Sequence, residues 1–456
     1  MEIKHLCLLL MFVSSAVAVK NGMNRPMAGG LFDPPDMTSV PQEVVENALM
    51  KFESVRDRLE SRYGYSLTKP SVTQVKSQVV RGMMYHVTLI AGSIKSSKDF
   101  SSVRPAAGKD FIQCTVRVWS QPMMNSERRL SVEAQELSIT DDCQAADMTK
   151  YMDAYRDQFD EFLMKFKRGY RKNDGTNEYE NRFSVFVQNM LTVEMLNQFE
   201  KGTAKYGPTK FADMTEVEFR NIQSGHLKTT GITKQAAIPQ GPVPQEYDWR
   251  NHGAVTPVKN QGQCGSCWAF SAIGNIEGQW QIKKGQLISL SEQELVDCDK
   301  VDLGCEGGEM RDAYEALIKL GGVMTERAYP YRGENEKCKF NVSKVEVKIN
   351  GYVNISKNET EMAGWLAAHG PISISINAEM MQFYSGGIAH PLKVFCNPDD
   401  LDHGVLIVGY AVKDGEPYWI VKNSWGEDWG ETGYYLVYRG DGTCGLNLDN
   451  TSCIVD

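Results

Sequence analysis

Two closely spaced cysteines stand in a setting that favours a reactive thiol. They lie in the stretch Gln261-Gly-Gln-Cys-Gly-Ser-Cys-Trp-Ala-Phe-Ser271. Apolar residues follow Cys267 at helical spacing to about Lys283, which predicts that a helix begins at this cysteine. The positive end of a helix dipole favours the thiolate over the thiol, and the thiolate is the nucleophile. Gln261 is close enough in sequence to direct its amide at the group that the sulfur attacks.

Other roles also fit this pair of cysteines. Cys264 and Cys267 would suit a structural pair or half of a zinc site, but a zinc ribbon needs a second closely spaced pair, which the sequence lacks. A redox dithiol would need a βαβ context. The spacing alone therefore leaves the nucleophile and the structural pair open.

Three stretches together resemble the papain family of cysteine proteases. Cys-Gly-Ser-Cys-Trp is the family's signature around the nucleophile. Leu401-Asp-His-Gly-Val-Leu-Ile-Val-Gly-Tyr410 and Tyr418-Trp-Ile-Val-Lys-Asn-Ser-Trp-Gly426 resemble its signatures around a histidine and an asparagine. The resemblance implies that Cys267 is the nucleophile, that His403 carries its proton, and that Asn423 orients the imidazole.

The same resemblance implies the remaining roles that amide hydrolysis needs. A histidine beside an apolar strand is usually a packed residue, but the Asn-Ser-Trp-Gly stretch that follows His403 makes catalysis the stronger interpretation. The Gln261 amide and the backbone N–H of Cys267 would bind the oxyanion. The acyl group would pass through a thioester that water hydrolyses. Trp425 is expected to shield the His403–Asn423 bond from water.

Substrate contacts are also implied by the resemblance. Gly307 and Gly308 would bind an extended peptide backbone by strand addition. The pocket for the side chain two positions before the cleaved bond would be lined by Glu309, Met310, Leu401, Gly404 and Asp449. Asp449 at its base predicts acceptance of basic as well as apolar side chains, unless its carboxylate points to solvent. Trp429 is expected on the leaving-group side.

The composition is that of an ordinary globular protein. Hydrophobic residues make up 42% and charged residues 23% of the chain, and 456 residues exceed a single ordinary core. A net charge of −9 provides no basic surface for nucleic acid. Past the N-terminus no run of 18 apolar residues occurs, so no transmembrane segment is expected. Residues 1–18 have the basic, apolar and small-residue regions of a secretory signal, which predicts a lysosomal or extracellular protein.

Eleven cysteines and four sequons suit the secretory pathway. The resemblance implies the disulfides Cys264–Cys305, Cys298–Cys338 and Cys396–Cys444, and Cys114–Cys143 is expected as a pair in an upstream domain. Cys453 is left over, either free and buried or bonded to another molecule. The sequons lie at Asn341, Asn354, Asn358 and Asn450. No metal or organic cofactor is expected, since disulfides and catalysis account for the cysteines and histidines.

Residues 41–147 predict an α+β domain, with one helix from Pro41 to about Leu59 and four or five antiparallel strands after it. This order resembles a cystatin. The matching features are Gly29 and Gly30, the stretch Gln78-Val-Val-Arg-Gly82, and the pair Cys114 and Cys143. Pro122-Met123 departs from the pattern, because cystatins carry Pro-Trp there and the Trp is a large rigid contact. The domain is expected either to inhibit cysteine proteases or to serve as a spacer or a chaperone-like prodomain.

Residues 148–225 predict two amphipathic helices and resemble the inhibitory propeptide of cathepsin-L-like zymogens. The first propeptide motif is matched by Glu178, Arg182, Phe186 and Asn189, whereas Val193 and Asn197 depart from it. Glu178 and Arg182 are spaced to form an ion pair on one helix face. The stretch from Tyr206 to Asp213 resembles the second motif, and Thr209 favours the cathepsin F branch. In the family this segment crosses the cleft against the substrate direction, which prevents its own cleavage.

The expected architecture is an α+β multidomain chain. Its parts are a signal peptide (1–18), a flexible leader (19–40), a cystatin-like domain (41–147), an inhibitory propeptide (148–225), an activation linker (226–242) and a two-lobed papain fold (243–456) with a helical left lobe and a β-barrel-like right lobe. It would be a monomeric endopeptidase made as a zymogen. Its partners would be protein or peptide substrates, its own propeptide and cystatin-type inhibitors.

The competing hypothesis is a binding protein. In it, the cystatin-like domain inhibits proteases and the C-terminal domain is a scaffold. The intact set of catalytic residue types argues against this alternative.

Overall fold

The computed structural model describes residues 31–32, 40–63, 66–80, 82–94, 111–122, 128–132, 143–172, 177–223 and 234–456. The predicted signal peptide, Gly29, Gly30, Met123 and the first part of the activation linker lie outside these residues. The described chain forms an N-terminal α+β unit, a helical segment and a two-lobed C-terminal unit. None of the helices within the described ranges has both the length and the apolarity that a membrane crossing needs.

The N-terminal unit is a helix packed on an antiparallel sheet. Its helices are α1 (Gln42–Glu53) and α2 (Arg56–Tyr63), and its strands are β1 (Leu31–Phe32), β2 (Ser66–Leu67), β3 (Ser71–Val80), β4 (Gly82–Ile94), β5 (Phe111–Pro122), β6 (Arg128–Val132) and β7 (Cys143–Ala145). The sheet order is β1-β3-β4-β5-β6, with β2 on β4 and β7 on β5. α1 buries an apolar face that includes Val44, Ala48 and Phe52.

The single helix predicted for this unit is interrupted. α1 ends at Glu53 and α2 begins at Arg56. The hydroxyl of Ser54 donates to the carbonyl of Lys51 at 2.7 Å, a local bond that competes with the helical ladder. Val55 and Leu59 are nevertheless buried. The apolar periodicity therefore predicts which face of the helix is packed, but it does not predict the interruption.

The helical segment links this unit to the C-terminal one. It contains α3 (Thr149–Lys165), α4 (Glu178–Phe199), β8 (Lys205–Tyr206) and α5 (Glu216–Arg220). Aromatic rings of α3 and α4 pack together, with Phe159 and Phe186 at 5.1 Å between centroids. β8 then pairs antiparallel with β14 (Tyr384–Gly386) of the C-terminal unit, so the segment is attached by backbone as well as by side chains.

Motif residues of α4 hold the chain that follows it. Arg182 lies 2.8 Å from Glu218 but 4.0 Å from Glu178, so its closer ion pair is with α5 and not within its own helix. The Asn189 amide donates to the carbonyls of Ala212 and Met214. Asn197, where the sequence departs from the family motif, exchanges two 2.9 Å hydrogen bonds with the backbone of Tyr206. Asn197 therefore has a structural role although it differs from the residue usual in the family motif.

The C-terminal unit has a helical lobe and a β-rich lobe. The helices are α6 (Cys267–Lys284), α7 (Glu292–Cys298), α8 (Met310–Leu320) and α9 (Glu359–His369). The strands are β9 (Tyr247–Asp248), β10 (Val323–Met324), β11 (Val345–Val347), β12 (Gly351–Asn354), β13 (Ile372–Ile376), β14, β15 (Ile388–Ala389), β16 (His403–Lys413), β17 (Glu416–Lys422), β18 (Tyr434–Tyr438) and β19 (Asn450–Ile454). The main sheet has the order β12-β19-β13-β16-β17-β18-β15, and β9 pairs with β16.

α6 is the central element of this unit. Every residue from Cys267 to Gln279 is buried, because the helix packs against α8 on one side and against β13, β16 and β19 on the other. It ends at Lys284, and the C-cap residue Gly285 has a φ of 73°, the left-handed conformation that closes many helices. The two lobes therefore meet along α6, with its first residue at their junction.

The described residues contain four disulfides. Three are those that the family resemblance implies, and the fourth is the pair expected in the upstream domain. They are Cys114–Cys143, Cys264–Cys305, Cys298–Cys338 and Cys396–Cys444. Among the described residues, Cys267 and Cys453 are the cysteines that form no disulfide. Cys453 is 3% exposed within β19, so the structure has the free and buried state that was one of its two alternatives.

The four sequons differ in accessibility. Asn341 and Asn358 are exposed, and Asn354 is half-buried with its Oδ1 bound to Arg311. Asn450 is 3% exposed in β19, and its Nδ2 donates to the carbonyls of Ser356 and Asn447. A glycan needs that nitrogen free and in solvent. Among the four candidate sequons, Asn450 is therefore the least suited to carry a glycan in the folded chain.

We expect glycans at Asn341 and Asn358 and none at Asn450 in protein secreted from eukaryotic cells. Enzymatic removal of N-glycans converts each modified asparagine to aspartate, and peptide mass spectrometry locates the change. The variants Asn341→Gln and Asn358→Gln should each remove one glycan, whereas Asn450 should remain asparagine throughout. A glycan at Asn450, or bare Asn341 and Asn358 together, would contradict this account.

Candidate active site

Cys267 lies where the sequence places it, at the first position of α6 with Ser266 as N-cap. The preceding loop is fixed by the Cys264–Cys305 disulfide and by the N–H of Gly265, which donates to the carbonyl of Cys305 at 2.8 Å. A Cβ at Gly265 would lie 2.6 Å from that carbonyl oxygen, so the close approach requires glycine. The Cys267 side chain is buried, and the N–H of Gly404 donates to its Sγ at 3.2 Å.

His403 and Asn423 are brought together by neighbouring strands. His403 is the first residue of β16, and Asn423 follows the last residue of β17. The two strands pair antiparallel, with Leu406 opposite Lys422. Nε2 of His403 lies 2.8 Å from Oδ1 of Asn423. The contact between Gly404 and Cys267 then brings the same end of β16 against the sulfur, so the three predicted residues meet at one point.

The hydrogen bond to Asn423 fixes the imidazole tautomer. An amide oxygen only accepts, so Nε2 of His403 must carry the hydrogen and donate it. Nδ1 is then the basic nitrogen of a neutral ring, and it is buried without a hydrogen-bond partner. Trp425 stacks on the ring at 4.7 Å between centroids, on the side expected for a shield against water.

Burial keeps this imidazole neutral in the structure. It lowers the pKa of His403 to about 4, against the opposing effects of the hydrogen bond to Asn423 and of the nearby Asp402 carboxyl. Desolvation penalises the charged form of a histidine, which is why burial dominates here. A charged imidazolium is therefore disfavoured while the site is covered.

Gln261 binds a backbone carbonyl of the chain itself. Its Nε2 donates to the carbonyl of Ile222 at 2.7 Å and to that of Cys264 at 2.9 Å. Its Oε1 accepts from the hydroxyl of Ser424 at 2.6 Å, which fixes the orientation of the amide. Gln261 is fully buried. The side chain expected to bind an oxyanion is thus pointed at a peptide carbonyl oxygen.

The segment that supplies this carbonyl covers the site. Phe211 and Phe219 pack on Trp425 with ring centroids at 5.3 and 5.4 Å. Lys210 donates to the carbonyl of Trp425 and pairs with Asp428. Thr209 also donates across the contact, to the carbonyl of Gln382. Aromatic and charged contacts together hold the segment over the cysteine and the histidine.

The two glycines expected to bind substrate lie beside α6. A Cβ at Gly308 would lie 2.6 Å from the ring of Trp268, and Gly307 has φ 122°, a conformation that side chains disfavour. Glu309 follows as the N-cap residue of α8, and Met310 is buried as the first residue of that helix. These residues border Trp268, the neighbour of Cys267.

The remaining predicted residues have different neighbours. Gly404 contacts Cys267, and Leu401 is three residues away along the chain. Trp429 packs on Trp425, with 4.9 Å between ring centroids, and its indole N–H donates to the carbonyl of Met381. Asp449 is 2% exposed and forms an ion pair with Arg311. The alternative in which its carboxylate points to solvent is therefore wrong.

Three residues of the site escaped the sequence interpretation. Ser424 orients the Gln261 amide, and its place beside Asn423 was a signal that could have been used. Ile222 supplies the bound carbonyl, and Arg311 pairs with Asp449. Neither has a local pattern that distinguishes it, because both act through residues that are distant in sequence.

Known proteins match both parts of this arrangement. Residues 243–454 match the papain family cysteine protease domain, and residues 159–219 match the cathepsin propeptide inhibitor domain I29. Cathepsin F of Drosophila melanogaster is 42% identical over 429 residues, which cover 90% of this chain and 68% of that protein. Cathepsin F of Mus musculus is 48% identical over 305 residues, covering 65% of this chain and 64% of that protein.

Solved structures of precursors match the same region. The digestive procathepsin L 3 of Tenebrio molitor larval midgut is 35% identical with a TM-score of 0.59, covering 66% of this chain and 99% of its own. A recombinant stem bromelain precursor is 36% identical with a TM-score of 0.58 and the same coverage.

Proposed function

The chain belongs to the papain family of cysteine proteases, as a zymogen with its propeptide attached, and we propose that it hydrolyses peptide bonds through a Cys267 thiolate and a His403 imidazolium. One observation carries this proposal: the Gln261 amide, beside the cysteine, already binds a peptide carbonyl oxygen, that of Ile222. A site that holds a carbonyl oxygen next to a thiol has the geometry that acyl transfer needs.

The catalytic steps follow from the atoms present. Nδ1 of His403 takes the proton of the Cys267 thiol, and the sulfur attacks the substrate carbonyl carbon. The Gln261 amide and the Cys267 backbone N–H stabilise the oxyanion. The imidazolium then gives its proton to the leaving amine, and water hydrolyses the thioester. Asn423 keeps Nδ1 directed at the sulfur throughout.

Latency has a steric and an electrostatic part. The propeptide, residues 148–225, occupies the position of a substrate carbonyl through Ile222, which blocks entry. Its Phe211 and Phe219 also pack on Trp425, which stacks on His403. Burial lowers the pKa of His403 to about 4, so we infer that this cover disfavours the imidazolium. Cleavage in the activation linker, residues 226–242, would release both effects by letting the propeptide leave.

The proposal also includes the expected domain boundaries, oligomeric state, localisation and partners. The domain boundaries are those given above, with residues 41–147 as a cystatin-like domain that either inhibits cysteine proteases or acts as a spacer. The protein would be a monomer of the secretory pathway, delivered to the lysosome or secreted, and open to cystatin-type inhibitors. Its substrates would be proteins and peptides, and the resemblance alone predicts that the pocket for the side chain two positions before the cleaved bond accepts apolar and also basic residues.

An activity assay separates the enzyme from the competing binding protein. The full chain is processed at acid pH, and hydrolysis of Leu-Arg and Phe-Arg fluorogenic peptides is followed before and after, with and without a thiol-directed epoxide. Epoxide-sensitive hydrolysis that rises on processing supports the enzyme. An inert processed chain whose N-terminal part inhibits another cysteine protease supports the binding protein.

A further inference from the structure

Arg311 and Asp449 form a buried ion pair that joins the two lobes. Arg311 lies in the first turn of α8, and Asp449 immediately precedes β19. Nη2 of Arg311 contacts Oδ1 of Asp449, and the two side chains are 10% and 2% exposed. Nε of Arg311 donates to Oδ1 of Asn354 at 3.1 Å, and Oδ2 of Asp449 accepts from the hydroxyl of Ser375 at 2.7 Å. Both carboxylate oxygens therefore have partners within the protein.

This ion pair borders the reaction centre on two sides. Ser375, which binds the carboxylate, is opposite Gly404 in the β13–β16 ladder, and Gly404 donates to the sulfur of Cys267. On the other side, the loop that leads into α8 contains Gly308, which is packed against the ring of Trp268. The two halves of the pair thus approach the start of α6 from opposite lobes.

A peptide segment already passes beside the pair. The N–H of Asn354 donates to the carbonyl of Lys234 at 2.9 Å, and the N–H of Ala236 donates to the carbonyl of Asn354 at 2.8 Å. Because Asn354 also accepts a hydrogen bond from Arg311, the ion pair lies next to the backbone of residues 234–236, which pairs with the end of β12.

We propose that Arg311 determines specificity by neutralising Asp449 from within, so that the pocket expected beside Glu309, Met310 and Asp449 accepts apolar side chains and excludes arginine and lysine. This inference rests on the proposed peptidase function and names its substrates. A substrate cation would have to displace Arg311 and leave a buried guanidinium unpaired, which is strongly unfavourable. Exclusion of the wrong ligand is a common source of specificity.

Glu309 does not supply a negative charge in place of the Asp449 carboxylate that Arg311 neutralises. It is 9% exposed, its Oε1 has no hydrogen-bond partner, and burial raises its pKa to about 7 against the opposing charge of Arg311. Its side chain is therefore mostly neutral at acid pH. The acceptance of basic residues expected from Asp449 alone gives way to an apolar preference.

The test measures kcat/KM of the processed enzyme on peptides with Leu, Arg or Glu two positions before the cut, with active sites titrated. We expect the unaltered enzyme to prefer Leu over Arg by at least about tenfold. Arg311→Met frees Asp449 and should raise the Arg-to-Leu ratio by about 10- to 100-fold. Asp449→Asn frees Arg311 and should raise the Glu-to-Leu ratio by about tenfold.

Two controls keep the result specific. Arg311→Lys retains the cation and should keep the ratios of the unaltered enzyme, and so should the double variant Arg311→Met/Asp449→Asn, which removes both charges. If Arg311→Met does not fold, the test rests on the nearly isosteric variant Asp449→Asn and its Glu-to-Leu ratio of kcat/KM. Equal cleavage of Arg and Leu peptides by the unaltered enzyme, or unchanged ratios in the folded single variants, would overturn the inference. Absence of any cleavage by the unaltered enzyme would instead overturn the proposed function.

Discussion

Cys267→Ala should lower kcat/KM of the processed protein by on the order of 10⁴-fold or more, the scale seen when a covalent nucleophile is removed. Without the sulfur no thioester can form, and His403 has no acidic proton to accept. The buried loop around Gly265 and the Cys264–Cys305 disulfide do not depend on the thiol. The variant is therefore expected to fold and to keep its propeptide bound.

Cys453→Ala is the matched control for that substitution. Cys453 is the other free, buried cysteine of the described residues, and its side chain packs in the core of the helical lobe, with Tyr314 and Leu317. Burial raises the pKa of its thiol well above the usual range, so it is a poor nucleophile. Both variants are processed with an added protease and assayed on a Leu-Arg peptide. Substantial activity in Cys267→Ala, or an equal loss in Cys453→Ala, would contradict the assignment.

Gln261→Ala should lower kcat by about 10²- to 10³-fold with a much smaller change in KM, because one oxyanion donor is lost. The amide is fully buried and held by Ser424, so its N–H groups are already directed at a carbonyl oxygen before reaction. A donor that is fixed in advance stabilises the transition state more than the ground state, which is why kcat changes more than KM.

Two further variants separate catalysis from folding in this experiment. Gln261→Glu keeps the shape of the side chain but loses the NH₂ donors, and it should be impaired at least as much as Gln261→Ala. Gln281→Ala, a glutamine near the far end of α6, should retain full activity. Active-site titration corrects each rate for the folded fraction. Activity of Gln261→Ala within about threefold of the unaltered enzyme would rule out the oxyanion role.

The local part of the site could be predicted from the sequence, because it depends on neighbours in the chain. Apolar spacing after Cys267 predicts the helix that begins there, and the structure has α6 at that place. The proximity of His403 and Asn423 follows from the β16–β17 pairing, which no local pattern specifies. Only the family resemblance could connect those residues to the cysteine in advance.

Contacts with distant segments of the chain could not be predicted. Asn450 satisfies the sequon rule, but β19 lies between β12 and β13, which buries the amide that a glycan would need. Asp449 was placed by the family resemblance at the base of a pocket, and the sequence could not show that α8 supplies Arg311 as its partner from the opposite lobe. A three-residue motif or a position in a family pattern carries no information about such partners.

Covalent labelling by a thiol-directed epoxide tests the central claim most directly. The processed chain is treated with increasing epoxide, residual hydrolysis of a Leu-Arg peptide is measured, and the labelled residue is identified by mass spectrometry. We predict one label per active chain, on Cys267, with activity falling in proportion, and much slower labelling of the unprocessed chain. Activity that survives complete labelling of Cys267, or loss of activity with the label on another residue, would contradict the account.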